Sequence, residues 1–112
     1  MEELIQKLRE FARERDWDQF HSPKNLAMAL AVEVAELMEH LQWLTEDQSR
    51  NLDQKTLDKI KEEIGDTQIY LARLADQLGT DPLLAAKEKL LKNAEKYPIE
   101  KAKGSAKKST DL

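Results

Sequence analysis

Apolar residues recur at helical spacing along most of this chain. Over residues 2–14 (EELIQKLREFARE), Leu4, Ile5, Leu8, Phe11 and Ala12 share one face of a 3.6-residue repeat, which predicts a first amphipathic helix. The period breaks over residues 15–22 (RDWDQFHS), a short loop that carries two aromatics and a histidine. Ser22-Pro23 then supplies an N-cap and a proline at the first helical position, where the missing N–H costs nothing. The pattern predicts a second helix from about Pro23 to Trp43, with Thr45 and Gln48 spaced for a capping box beyond it. A third helix is expected from Gln54 to Leu78, stopped by Gly79 as a left-handed cap. Asp81-Pro82 opens a fourth, which runs to about Tyr97 before Pro98 ends it. The expected architecture is all-α, a four-helix bundle over residues 1–98. Residues 99–112 form a Lys- and Ser-rich tail whose composition suits a disordered end.

Composition agrees with helices and adds a constraint on assembly. Charged residues make up 36% of the chain and aromatics 5%, with only three glycines and three prolines, a poor recipe for a sandwich or barrel. A bundle of 112 residues leaves much of its apolar surface uncovered unless subunits pair, so an oligomer is expected. The net charge of −4 and a pI near 5.3 argue against a general nucleic-acid binder, which carries a basic stripe. Without cysteine there is no disulfide, thiolate metal site or cysteine nucleophile. The first residues, Met-Glu-Glu-Leu, lack a basic region followed by an apolar core, and no stretch approaches the roughly 20 apolar residues of a membrane span. A cytoplasmic protein is the expectation.

The candidate chemistry lies on the second and third helices. Leu30, Val34, Leu37, Leu41 and Leu44 step by four and three along the second, and Leu57, Ile60, Ile64, Thr67, Leu71, Leu74 and Leu78 do so along the third, so each predicts a buried seam. Glu33 and Glu36 immediately precede Val34 and Leu37, and Glu63 and Asp66 immediately precede Ile64 and Thr67. Each acidic pair is spaced i, i+3 and stacks on one helical face. An antiparallel hairpin of the two helices would bring all four carboxylates together, and like charges that close require a cation or protonation. Oxygen-only ligation points to Mg²⁺, with Mn²⁺ possible, rather than zinc. The bland alternative, two solvated helix faces, stays open on spacing alone. Glu39 and Glu62 are assigned to solvent. A di-iron centre would need Glu-x-x-His on two helices, and neither His21 nor His40 stands three residues after a glutamate.

Aromatics cluster around these acids in the sequence. Trp17, Phe20 and His21 occupy the loop before the second helix, Trp43 closes that helix, and Tyr70 lies one turn beyond Asp66. Ring planes beside an imidazole suit a nucleobase, and a nearby metal suits its phosphates, although tryptophans also serve as core or interface anchors. Lys89, Asn93 and Lys96 form a stripe on the fourth helix that could contact phosphates.

The ordered motifs Glu33-Val-Ala-Glu36 and Glu63-Ile-Gly-Asp66 resemble the E-x-x-E and E-x-x-D signature of MazG-type nucleotide pyrophosphohydrolases, within the all-α NTP pyrophosphatase superfamily. ERDWDQFHSPKN before them, the QW that ends at Trp43, D-x-x-IYL through Tyr70 and K-x-x-x-N-x-x-KYP from Lys89 to Pro98 are similar to the dCTP pyrophosphatase branch. One departure falls in the first helix, where that branch carries a histidine and this chain has Arg9 in the neighbourhood. The resemblance implies housecleaning hydrolysis of dCTP or related dNTPs to the monophosphate and pyrophosphate. It implies that Glu33, Glu36, Glu63 and Asp66 bind Mg²⁺, with Glu33 or Glu36 as general base. It further implies that Trp17, Asp18, Gln19, Phe20, His21, Trp43 and Tyr70 line the nucleotide pocket, while Lys89, Asn93 and Lys96 meet the triphosphate. Such proteins are expected to be homotetramers built as a dimer of dimers. The alternative from another class is a non-catalytic nucleotide-binding or oligomerisation module.

Overall fold

The computed structural model describes residues 1–112 and is built from helices and turns. Helix α1 spans Glu2–Glu14, α2 Pro23–Glu39, α3 Glu46–Arg50, α4 Gln54–Gln77, α5 Pro82–Lys96 and α6 Ile99–Ala102. Short 3₁₀ turns occupy Asp18–Phe20 and Ser109–Asp111. The starts of the helices follow from local chemistry. The Ser22 hydroxyl accepts from the Asn25 N–H, Asp53 from that of Thr56, and Asp81 from those of Leu83 and Leu84, so otherwise orphaned donors are satisfied. Thr45 and Gln48 form the reciprocal capping box. At the end of α4 the Thr80 N–H reaches the Ala75 carbonyl and the Gly79 N–H that of Asp76. With Gly79 at φ 69°, this is a Schellman closure.

The second helix is shorter than its apolar period suggests. It ends at Glu39 rather than near Trp43, and residues 40–45 turn through tightened bonds such as Leu41 N–H to the Met38 carbonyl at 2.9 Å. The apolar steps at Leu41 and Leu44 persist, but the Thr45 box starts a new helix and the chain must reverse before it. The tail also departs from expectation. Ile99–Ala102 forms one helical turn after Pro98, and the Ser109 N–H donates to the Tyr97 hydroxyl at 3.2 Å, returning the chain to the end of α5.

Helices α2 and α4 form the main packed pair, with α1 laid against α4. The pair is antiparallel. His21, just before α2, meets Arg73 late in α4, whereas His40, just after α2, meets Glu63 in the middle of α4. The buried apolar side chains are Ala12, Leu26, Ile60, Ala72 and Ala75. The two expected seams are only partly inside. Val34, Ile64, Leu71 and Leu78 are exposed, while Glu33, Glu36, Glu63 and Thr67 are turned into the helix–helix contact. Helix α5 packs only sparsely on α4, and Leu90 is 68% and Leu91 72% exposed. The radius of gyration is 17.5 Å, against about 13 Å for a compact domain of this length. No helix is long and apolar enough to cross a membrane.

Candidate active site

The inward rotation of the acids on α2 and α4 creates a carboxylate cluster. Oxygens of Glu33, Glu36 and Glu63 lie within 4.8 Å of one another. One carboxylate oxygen of Glu33 and one of Glu63 are buried without any hydrogen-bond partner, as is the Thr67 hydroxyl. Buried polar atoms are nearly always paired, and an orphaned carboxylate oxygen is costly. Burial, then the negative charges of Glu36, Asp66 and Glu63, push the Glu33 carboxyl up to about 7. Asp66 lies outside the tight trio yet near enough to act on Glu33. His40 places Nε2 3.7 Å from a Glu63 oxygen and is the basic side chain that reaches the cluster. A set of hard oxygen donors with unused lone pairs fits a divalent cation.

A cavity of about 220 Å³ is lined by Leu8, Phe11, Trp17, His21, Ile69, Tyr70, Arg73 and Asp66, and Asp66, whose charge acts on Glu33, links it to the cluster. Its aromatic wall is continuous. Phe11 meets Trp17 edge to face with ring centres 5.7 Å apart, and Trp17 meets His21 at 6.1 Å. The Arg15 guanidinium lies over the outer face of Phe11 at 3.5 Å. The volume falls below the roughly 300–1,000 Å³ of drug-sized sites and suits a single flat ring, with the rest of a ligand outside. Larger crevices of about 460 and 640 Å³ flank Arg9 and Asp76, but they are polar and have no aromatic wall.

A metal-suited acidic cluster adjoining an aromatic slot is now joined by a match of residues 28–112 to the model of the MazG-like family. The chain belongs to the MazG-like family. Over its whole length it is 41% identical to dCTP pyrophosphatase 1 of Mus musculus and 39% identical to that of Homo sapiens, covering 67% of each. Among solved structures, a pyrophosphatase from Archaeoglobus fulgidus superposes with a TM-score of 0.82 at 43% identity, over 88% of this chain and 92% of the other.

Within this MazG-like chain the residues expected at the site divide into two groups. Glu33, Glu36 and Glu63 converge, and Asp66, Trp17, His21 and Tyr70 border the cavity beside them. The others lie apart. Asp18 is held by Arg73, and the Gln19 amide donates to the Asp16 carbonyl at 3.0 Å. Phe20 is 58% exposed, and Trp43 is 86% exposed beyond the end of α2. Lys89, Asn93 and Lys96 are on α5, away from the cavity. The charge of Lys96 lowers the pKa of Lys89, so this stripe is a concentrated positive patch. Two residues absent from the expectation belong to the neighbourhood, His40 and Arg73. Arg73 had a usable signal, since it is the lone charge in IYLARLA and falls seven residues after Asp66 on the same helical face.

Proposed function

We propose that this MazG-like protein hydrolyses a deoxynucleoside triphosphate, dCTP or a near relative, between the α- and β-phosphates, releasing the monophosphate and pyrophosphate. The observation that carries this reading is the pair of unpartnered carboxylate oxygens on Glu33 and Glu63 beside an aromatic slot bordered by Asp66. The curated relatives named dCTP pyrophosphatase 1 support the same chemistry. Glu33, Glu36, Glu63 and Asp66 would hold Mg²⁺, or Mn²⁺ in its place. When bound, such an ion neutralises phosphate oxygens and acidifies water. Trp17 and Tyr70 flank the base, and Glu33 or Glu36 takes the proton of the water that attacks the α-phosphorus in line with departing pyrophosphate.

One chain does not complete this site. The lysine stripe and Trp43 stand away from the slot, while α5 and the outer faces of α2 and α4 carry uncovered apolar residues. We infer that a homotetramer, a dimer of dimers, brings Lys89, Asn93 and Lys96 of one copy toward the triphosphate bound by another. The role is clearance of unwanted nucleotides from a cytoplasmic pool. A panel of the dNTPs incubated with Mg²⁺ and resolved by anion-exchange chromatography should show dCMP and pyrophosphate as the dominant products. Release of diphosphate with orthophosphate, or no release from any dNTP, would overturn the assignment.

A further inference from the structure

Arg73 is the one charged side chain in the core, with 5% of its side chain exposed, and the carboxylate cluster does not use it. Each of its three guanidinium nitrogens has a protein neighbour. It donates to Asp18 in the 3₁₀ turn, places Nη1 3.6 Å from Asp76, and donates Nε–H to Nδ1 of His21 at 3.2 Å. Asp76 in turn accepts from Arg9 of α1 at 2.8 Å, so two arginines and two aspartates tie α1, the aromatic loop and α4 together. Guanidinium has donors and no acceptor, so the histidine nitrogen it meets must be unprotonated. Burial and the neighbouring Arg73 charge both lower the His21 pKa, in keeping with a neutral ring. A neutral imidazole that accepts at Nδ1 carries its proton on Nε2. That nitrogen has no protein partner, and His21 lines the slot with Trp17 and Tyr70. Along α4, seven residues separate Asp66 from Arg73, a rise of about 10 Å, the scale of the step from an α-phosphate to its base.

We propose that Arg73 is a positioning residue for nucleobase recognition. By donating to Nδ1 it fixes His21 as the Nε2–H tautomer, so the slot beside the carboxylates offers a hydrogen-bond donor to an acceptor atom on the base edge. A cytosine edge presents such acceptors at its ring nitrogen and carbonyl. A site built around one hydrogen bond discriminates strongly against a base that cannot make it, because the donor is then left unpaired. The inference rests on the nucleotide reading above, but its first test does not.

Replacement of a buried arginine endangers the fold, so the decisive measurement uses the unaltered protein. Long-range ¹H–¹⁵N correlation of the free chain should show His21 neutral, with Nε2 protonated and Nδ1 bare. A Nδ1–H ring, or a fast average of the two tautomers, overturns the proposal. The second arm is kinetic. His21→Phe and Arg73→Gln should each raise KM for dCTP at least about tenfold, with a smaller effect on kcat, and the double variant should be no worse than His21→Phe alone, since Arg73 acts through His21. Additive losses, or an unchanged KM in folded Arg73→Gln, overturn the proposal. Failure of the unaltered enzyme to cleave any dNTP is a different result, which sinks the nucleotide reading whatever the tautomer.

Discussion

Glu33 concentrates the conflict that defines this protein. Its carboxyl sits in the α2–α4 contact with one oxygen unpartnered, and its folded pKa is raised from 4.5 to about 7 by burial and by three neighbouring acids. The folded state therefore holds a proton that the unfolded chain releases at lower pH. The sign follows from linkage: this contribution to stability is complete below about pH 4.5 and is lost as pH rises through about 7. Thermal melts in EDTA should fall from pH 5 to pH 8, and Mg²⁺ or Mn²⁺ should restore the loss at pH 8. Glu33→Gln should flatten the slope, weaken the metal's stabilising effect and reduce turnover at least about 100-fold. An identical slope in the variant would show that other groups set it. The i, i+3 spacing made the acids legible in the sequence, because helical geometry fixes which residues stack. Their burial was not legible. Seam periodicity placed Val34 and Ile64 inside and the acids at the flank, whereas the chain turns Glu33, Glu36 and Glu63 in, leaves Asp66 exposed and turns Val34 and Ile64 out. Apolar periodicity reports that a face is covered, without distinguishing cover by the same chain from cover by another.

At the scale of elements, the boundaries that carry chemical signals were readable and those that depend on competition were not. Ser22-Pro23, Asp81-Pro82 and Gly79 each act through their own side chain or backbone freedom, and each marks a helix end in the structure, whereas the Asp53 cap of α4 was not picked out. The end of α2 depends on a contest between Leu41 and Leu44 continuing the period and Thr45 opening the next helix. Periodicity alone favours the first. The hydrogen-bonded box favours the second, and it prevails. The Gly79 closure sets the angle at which α5 leaves α4, and its φ of 69° is open to glycine and costs a β-carbon residue. Gly79→Ala should destabilise the chain by about 1–2 kcal/mol, read as a lower urea midpoint at unchanged m. No side chain crowds that position, so the penalty is one of backbone conformation. Substitution of Gly65, which has a helical backbone and equally open surroundings, should lack it.

For the whole molecule, the exposed apolar residues are the feature that the proposed assembly accounts for. The chain measures 50 × 36 × 24 Å, buries few side chains completely, and leaves Leu83, Leu84, Leu90 and Leu91 of α5 uncovered along with Met28, Val32 and Val34 of α2. Such exposure on a 112-residue chain supports the proposed assembly, in which another copy covers these residues. Its position matters as much as its extent. Helix α5 carries both exposed leucines and the lysine stripe, so in the proposed tetramer the contact that buries one can deliver the other to a phosphate. In the proposed tetramer, assembly and catalysis are a single event. Leu90→Glu with Leu91→Glu should shift the protein to a smaller species in light scattering and abolish pyrophosphate release. The Glu33, Glu36 and Glu63 trio, formed within one chain, should keep its response to Mg²⁺ in thermal melts. If the dispersed variant retains full turnover, the phosphate contacts come from within the chain and the shared-site assembly is wrong. If the unaltered protein is already monomeric and active at micromolar concentration, the same conclusion follows without the variant.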